Sequence, residues 1–117
     1  MKTANEVYAK ALSFLGAYGA GQTPSAEDMA VADAAFRPLM DELASLQLCF
    51  IPYDPDENDV PCVQDEFFVT IAKILANEIA PEFGQPSDEG GRQILERRLR
   101  LLTSTGSYGQ VQQAEYF

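Results

Sequence analysis

The chain has 117 residues, with eighteen acidic and eight basic side chains, no histidine, and a formal net charge of −10. That length suits one domain with a core large enough to need no staples. The charge argues against a nucleic-acid binder, whose affinity rests on neutralising phosphates. With no histidine, and with Cys49 and Cys62 at no metal-ligand spacing, a zinc site is all but excluded. The N-terminus lacks the apolar run of a signal peptide and no stretch approaches a membrane span, so the expectation is a soluble protein made in the cytoplasm with reduced thiols.

In chain order, Thr3 to Tyr18 reads as a first helix. Thr3 and Glu6 form a capping-box signature, and Val7, Ala11, Leu12, Leu15 and Tyr18 form an inward stripe with Phe14 beside it. The glycines of GAYGAGQTP end it. Their spacing is not that of a phosphate-binding loop, no lysine follows, and Glu27 and Asp28 would repel phosphate.

Ser25 to Gln47 reads as a long amphipathic helix. Ser25 caps it and Asp28 stands three residues on, while Met29, Ala32, Phe36, Leu39, Met40, Leu43, Ala44 and Leu46 recur at helical spacing. Pro38 lies inside it and implies either a kink or a junction of two helices; the period carries through the proline, which favours the kink.

Leu48 to Tyr53 is expected to be extended over the end of the helices. The acidic loop Asp54–Pro61 follows. Asp54, Asp56 and Asn58 stand at the first three EF-hand ligand positions, but Asp59 replaces the turn glycine and prolines interrupt, so a solvated acidic loop is the better reading. A third helix is predicted from about Pro61 to Ala80, with Phe67, Phe68, Ile71, Ile74, Leu75 and Ile79 on its apolar face. A fourth is capped by Ser87 and turns Ile94, Leu95, Leu99 and Leu102 inward. Phe36, Leu39, Leu43, Phe68, Ile71, Leu75, Leu95 and Leu99 are the expected core.

From Thr103 the helical period stops and the chain is expected to be extended, either an arm seeking a partner or a frayed terminus. The fold expected is therefore all-α, a four-helix bundle over residues 1–102 with an extended C-terminal arm over residues 103–117. Residues 1–91 hold sixteen acidic and four basic side chains, while Arg92, Arg97, Arg98 and Arg100 face only Glu96 and Glu115 in the remainder. No pair of carboxylates sits in an evident apolar setting that would tune it for acid–base work, and no basic recognition helix stands out except the last. No catalytic, cofactor-binding or metal-ligating residue is predicted.

The segment LSFLGAYGAGQTPSAEDMAVADAAFRPLMDELASL, the later LANEIAPEFGQP, the arginine-rich RRLRLLTS and the terminal AEYF, in that order, resemble the small head-to-tail connector (adaptor) proteins of tailed bacteriophages. Pro38 has no match in that pattern. The resemblance implies a helical bundle in a ring, typically of twelve copies, beneath the portal of the DNA-filled head. It implies no enzymatic activity and no cofactor, and a place in the virion between head and tail. It also implies partners: the portal protein, neighbouring copies, and tail or stopper proteins, with DNA passing through the ring without sequence-specific binding. Carried onto this chain, Arg97, Arg98, Arg100, Tyr108, Val111, Tyr116 and Phe117 would meet the portal or a neighbouring subunit. Asp54, Asp56, Glu57 and Asp59 would face the DNA path or a neighbour, where like charge keeps DNA from adhering. An acidic monomeric regulator, a DNA mimic that blocks a nucleic-acid-binding protein, is the alternative.

Overall fold

The computed structural model describes residues 1–19, 21–51 and 57–115, with side chains described through Thr103. It is mostly helical. Helix α1 spans Ala4–Phe14, α2 Ala26–Ser45, α3 Asp65–Ile79 and α4 Glu89–Glu115, and a 3-10 turn covers Ala80–Phe83. A small antiparallel pair joins β1, Lys2–Thr3, to β2, Pro61–Val63, with Lys2 opposite Val63 and an irregularity at the next position.

Side-chain caps start α1, α2 and α4, whereas α3 begins after Gln64 with no side-chain cap. Thr3 closes the full capping box: its side chain accepts from Glu6 N at 3.1 Å, and its own N–H donates to Glu6 Oε1 at 3.0 Å. Ser25 accepts from Asp28 N at 3.1 Å, a one-sided cap among the described bonds. The cap of α4 is Asp88 rather than Ser87: its Oδ1 accepts from Gly91 N at 3.0 Å. A carboxylate there offsets the dipole as well as the orphan N–H, which a serine hydroxyl does less well. A Cβ on Gly91 would lie 2.6 Å from Asp88 Oδ2, so a larger residue there would require the Asp88 carboxylate to shift.

Three helical ends share one stop. After α1, Ala17 N donates to Leu12 O and Gly16 N to Ser13 O; after the 3-10 turn, Gln85 N donates to Ala80 O and Gly84 N to Pro81 O. After α2, Leu48 N donates to Leu43 O and Gln47 N to Ala44 O. Each is a Schellman closure, which needs a left-handed residue. Gly16 and Gly84 supply it at φ 70° and 77°, whereas Gln47 is forced to φ 59°. The third closure puts Leu43 and Leu48, both buried, at the two hydrophobic positions of the motif.

The core forms around α3. This helix packs against α1, α2 and α4, and buries Thr70, Ile71, Ala72, Ile74, Leu75, Ala76 and Ile79. From α1 come Val7, Tyr8, Ala11 and Leu12, and from α2 Ala32, Phe36, Leu39, Met40 and Leu43. Tyr8 and Phe36 meet edge to face, with centroids 5.3 Å apart. Helix α2 passes Pro38 as one continuous helix, with the proline on the exposed side. Of the expected core, Phe36, Leu39, Leu43, Ile71, Leu75 and Leu99 are buried, while Phe68 and Leu95 are half-buried against it.

Several expectations are corrected. Residues Pro61–Val63 form a strand, and α3 begins only at Asp65. Three residues are too few to show alternation, and a proline that suits a first helical turn also suits an edge strand. Leu48, Cys49 and Ile51 do pack into the core, but outside any strand, and Pro52 and Tyr53 lie outside the described residues. Ile94 is 62 % exposed rather than inward, and Leu46 is 48 % exposed. The inner stripe of α4 is Leu95, Leu99 and Leu102, and Ile94 lies about 100° from Leu95 and about 140° from Leu99 around the helix. Last, the segment from Thr103 is not extended: α4 continues through Glu115. Extending an existing helix adds one bond per residue without a new nucleus, so a chain that would not start a helix at Thr103 can prolong one.

Candidate functional site

The features that distinguish this molecule lie on its surface, along α4 and around the start of the acidic loop. Helix α4 runs back along α3. At its start Asn77 clamps the backbone of Asp88, accepting from its N–H at 2.6 Å and donating to its carbonyl at 2.9 Å. One turn on, Arg92 is held by three carboxylates from three helices: Glu42 of α2 at 2.5 Å, Glu78 of α3 at 2.9 Å and Glu96 of α4 at 2.8 Å. Its side chain is only 11 % exposed. Burial alone would pull its pKa down, but the hydrogen bonds it donates to Glu42 and Glu96 and the charges of Glu42 and Glu78 outweigh that and raise it. A guanidinium suits this role because its planar fork can serve several acceptors at once. The sequence marks Arg92 only as one basic residue among four; Glu96 is readable as its i+4 partner, but Glu78 and Glu42 lie 14 and 50 residues away, where no local signal reveals them.

Beyond this anchor α4 loosens. Leu99 is its buried side chain among the described residues, and Leu102 lines a shallow groove together with Glu66, one residue from the start of α3. Past that point α4 has outrun α3, and the remainder to Glu115 amounts to roughly 20 Å of helix at 1.5 Å per residue. Just before it, Ile94, Arg97, Arg98 and Leu101 share the outer face, all exposed, with Arg100 exposed beside them. None of these arginines has an ion pair among the described residues. Elsewhere Lys2 pairs with Glu6 and lies over Phe68, and Lys10 and Lys73 lie over the ring of Phe14 at 5.3 and 5.8 Å. Of the remaining residues expected at a portal contact, Tyr108 and Val111 fall within α4 but their side chains lie outside the described residues, as do Tyr116 and Phe117 altogether.

The acidic loop divides. Asp54 and Asp56 lie outside the described residues, and Glu57 is exposed. Asn58 and Asp59 are tied down. Asn58 donates to Asp33 Oδ1 at 3.1 Å, Tyr8 donates to the same oxygen at 2.8 Å, and Asn5 donates to Asp59 Oδ1 at 2.6 Å. This end of the loop therefore fastens α1 to α2, and Asn58 is committed to that network. Among the described residues no group of three or more His, Cys, Asp or Glu is placed to hold a metal ion. Both cysteines are free thiols; burial raises the pKa of each, against a backbone hydrogen bond at Ala4 for Cys62. Among the described residues no cation lowers the pKa of either thiol, the change that activates a nucleophile.

A groove of about 570 Å³ opens on the α2 side, between Arg37, Met40, Asp41 and Ala44 of α2 and the segments carrying Phe50, Ile51, Val60 and Cys62. Phe50 is 79 % exposed and Val60 49 %. No helix among the described residues is long and apolar enough to cross a membrane. No family model, curated protein or solved structure matches the chain.

Proposed function

We propose that this chain is a structural head-to-tail connector of a tailed phage: a ring of copies, typically twelve, seated beneath the portal and joining the DNA-filled head to the tail. In this reading the four helices form a bundle whose body carries the ring, and DNA passes through without sequence-specific binding. The protein acts by position, with no reaction and no cofactor. It is made in the host cytoplasm and finishes in the virion, in contact with tail or stopper proteins.

The observation that supports this reading is the form of α4. It is pinned to the body at Arg92, outruns α3 after Leu102, and carries exposed Ile94, Arg97, Arg98, Arg100 and Leu101 where it leaves. A helix that buries only Leu99 among its described residues, on a protein of net charge −10, suits a partner that takes up a basic and apolar face. The resemblance of the ordered sequence segments to connectors supports the same reading.

The test is docking on purified portal rings of the same phage, read by co-sedimentation and electron imaging. The full chain should decorate one end of the portal, more weakly as salt rises. Removal of Ser107–Phe117 should abolish docking while helical circular dichroism falls only by the share of the deleted residues and the melting temperature stays nearly unchanged. Docking that survives the truncation removes the α4 segment from the reading. A chain that ignores the portal but binds a nucleic-acid-binding enzyme is the acidic regulator instead.

A further inference from the structure

Among its described side chains α4 gives the buried core one residue, Leu99, with Leu95 half-buried against it. The rest of that core comes from α1, α2, α3, β2 and residues 48–51. The seat of α4 is largely polar. Asn77 of α3 meets Asp88, Glu78 meets Arg92, and Glu66 and Thr70 line, with Val69, the groove they share with Leu101 and Leu102. Polar groups of this kind regain hydrogen bonds from water when uncovered, so such a seat is exposed at less cost than an apolar one.

The Arg92 node can part without leaving a buried charge alone. Two of its bonds cross to the body, to Glu42 of α2 and Glu78 of α3, and the third stays within α4, at Glu96. When α4 moves, Glu96 travels with Arg92, and the guanidinium regains water that it lacks at 11 % exposure. Glu42 and Glu78 are already 51 % and 45 % exposed, so each rehydrates readily. The usual penalty for breaking a buried pair, an uncompensated charge left inside, does not arise. The link to α4 is exposed from Gly84 to Asp88. Gln85 Nε2 donates to Leu15 O at 2.8 Å, which ties the link to the end of α1, and Pro86 is stiff in φ. The free rotations between body and α4 therefore fall beyond Pro86, at Ser87 and Asp88.

We propose that α4 is a latched arm: it leaves the body of α1, α2 and α3 as one unit, pivoting at Ser87 and Asp88, when the bonds of Arg92 to Glu42 and Glu78 part. The body stays folded because α4 supplies so little of its core. Cut off from α3, α4 is an isolated helix of marginal stability, and its amides exchange from that open state. A partner that binds the open arm better than the closed one shifts the balance toward it, whatever that partner is. The device goes beyond the connector reading and does not depend on it.

Native-state hydrogen exchange of the full chain, in urea below the unfolding transition, tests it. Amides from Glu96 to Leu102 should share one opening, at least tenfold more frequent than that of Ile71 to Ile79 and with a weaker dependence on urea. Glu42→Gln and Glu78→Gln should each speed exchange in α4 at least threefold and leave α3 within twofold. Glu96→Gln should change neither helix by more than twofold, because the bond it weakens is present in both the latched and the open arm. All three substitutions keep the size of the side chain, and the wild-type measurement stands by itself should one of them fail to fold. Protection that decays steadily along α4 toward Leu102 means fraying and overturns the proposal. So does exchange in α4 with the urea dependence of α3, or a Glu96→Gln variant that matches Glu78→Gln.

Discussion

Helices α3 and α4 lie side by side, yet only one of them belongs to the core in the full sense. Helix α3 buries seven residues against three neighbours, while α4 buries Leu99 among its described residues and is held at its start by polar clamps. Burial on several sides gives α3 a stability that no single contact controls. Among its described residues, helix α4 depends on one guanidinium and a short inner stripe, and Ile94, Arg97, Arg98 and Leu101 are exposed. In this molecule, being helical and being packed are separate properties.

Core truncation should break the comparison most visibly. Leu75→Ala in α3 should cost about 2–5 kcal/mol, since Leu75 is fully buried and its loss leaves a cavity. Leu43→Ala in α2, also fully buried, belongs to the same class and should cost a similar ~2–5 kcal/mol. Ile94→Ala in α4 should stay within about 0.5 kcal/mol, because an exposed side chain has little to lose. Urea melts of the three variants decide it, and equal losses for Leu75 and Ile94 would erase the distinction.

Arg92→Met tests whether the polar clamp is what holds α4. It removes three charge-assisted bonds and leaves Glu42, Glu78 and Glu96 facing one another, at a cost of about 2–4 kcal/mol. Hydrogen exchange should quicken in α4 well before α3, the signature of a locally released element. Uniform acceleration across both helices would mean that α4 unfolds only with the rest.

The helix stops offer a smaller and opposite effect. Gln47 sits at φ 59°, where Gly16 and Gly84 serve the equivalent turns, so Gln47→Gly should raise stability by up to about 1 kcal/mol as relieved strain offsets the added freedom of the unfolded chain. Gly16→Ala should lose a similar ~1 kcal/mol for the converse reason. Thermal melts of the pair should move in opposite directions.

The smallest effect is at the start of α1. The backbone hydrogen bond from Thr3 is the main cause that holds the Glu6 carboxyl below its ordinary value of 4.5, with the charge of Lys2 assisting, and burial opposes it. A depressed folded-state pKa means that the stabilisation is fully present above the unfolded value and is lost as pH falls through the folded one. Glu6→Gln should therefore be less stable than wild type at neutral pH, and the gap should close below pH 4.5. A gap that does not change with pH would assign the cap to Thr3 alone.

The sequence by itself determined where α1 and α2 begin and which of their faces are apolar, because caps and periodicity are local. Thr3 with Glu6, and Ser25 with Asp28, announce their helices within four residues, and the stripe from Phe36 to Leu43 reads directly as core. Tertiary structure alone decided what required distant partners. The pairing of β1 with β2 joins segments some sixty residues apart, and Pro61 looked helical without it. Ile94 and Leu95 are equally apolar in sequence, and only the rotation of α4, set by Arg92 and Leu99, turns one outward and the other toward α3. The continuation of that helix through Gly106 and Gly109 has the same origin: neither glycine favours a helix, but one already nucleated at Asp88 needs only extension. The candidate surface was legible as a set of arginines. Its shape was not, because the face a side chain takes on a helix depends on what holds the helix from the other side.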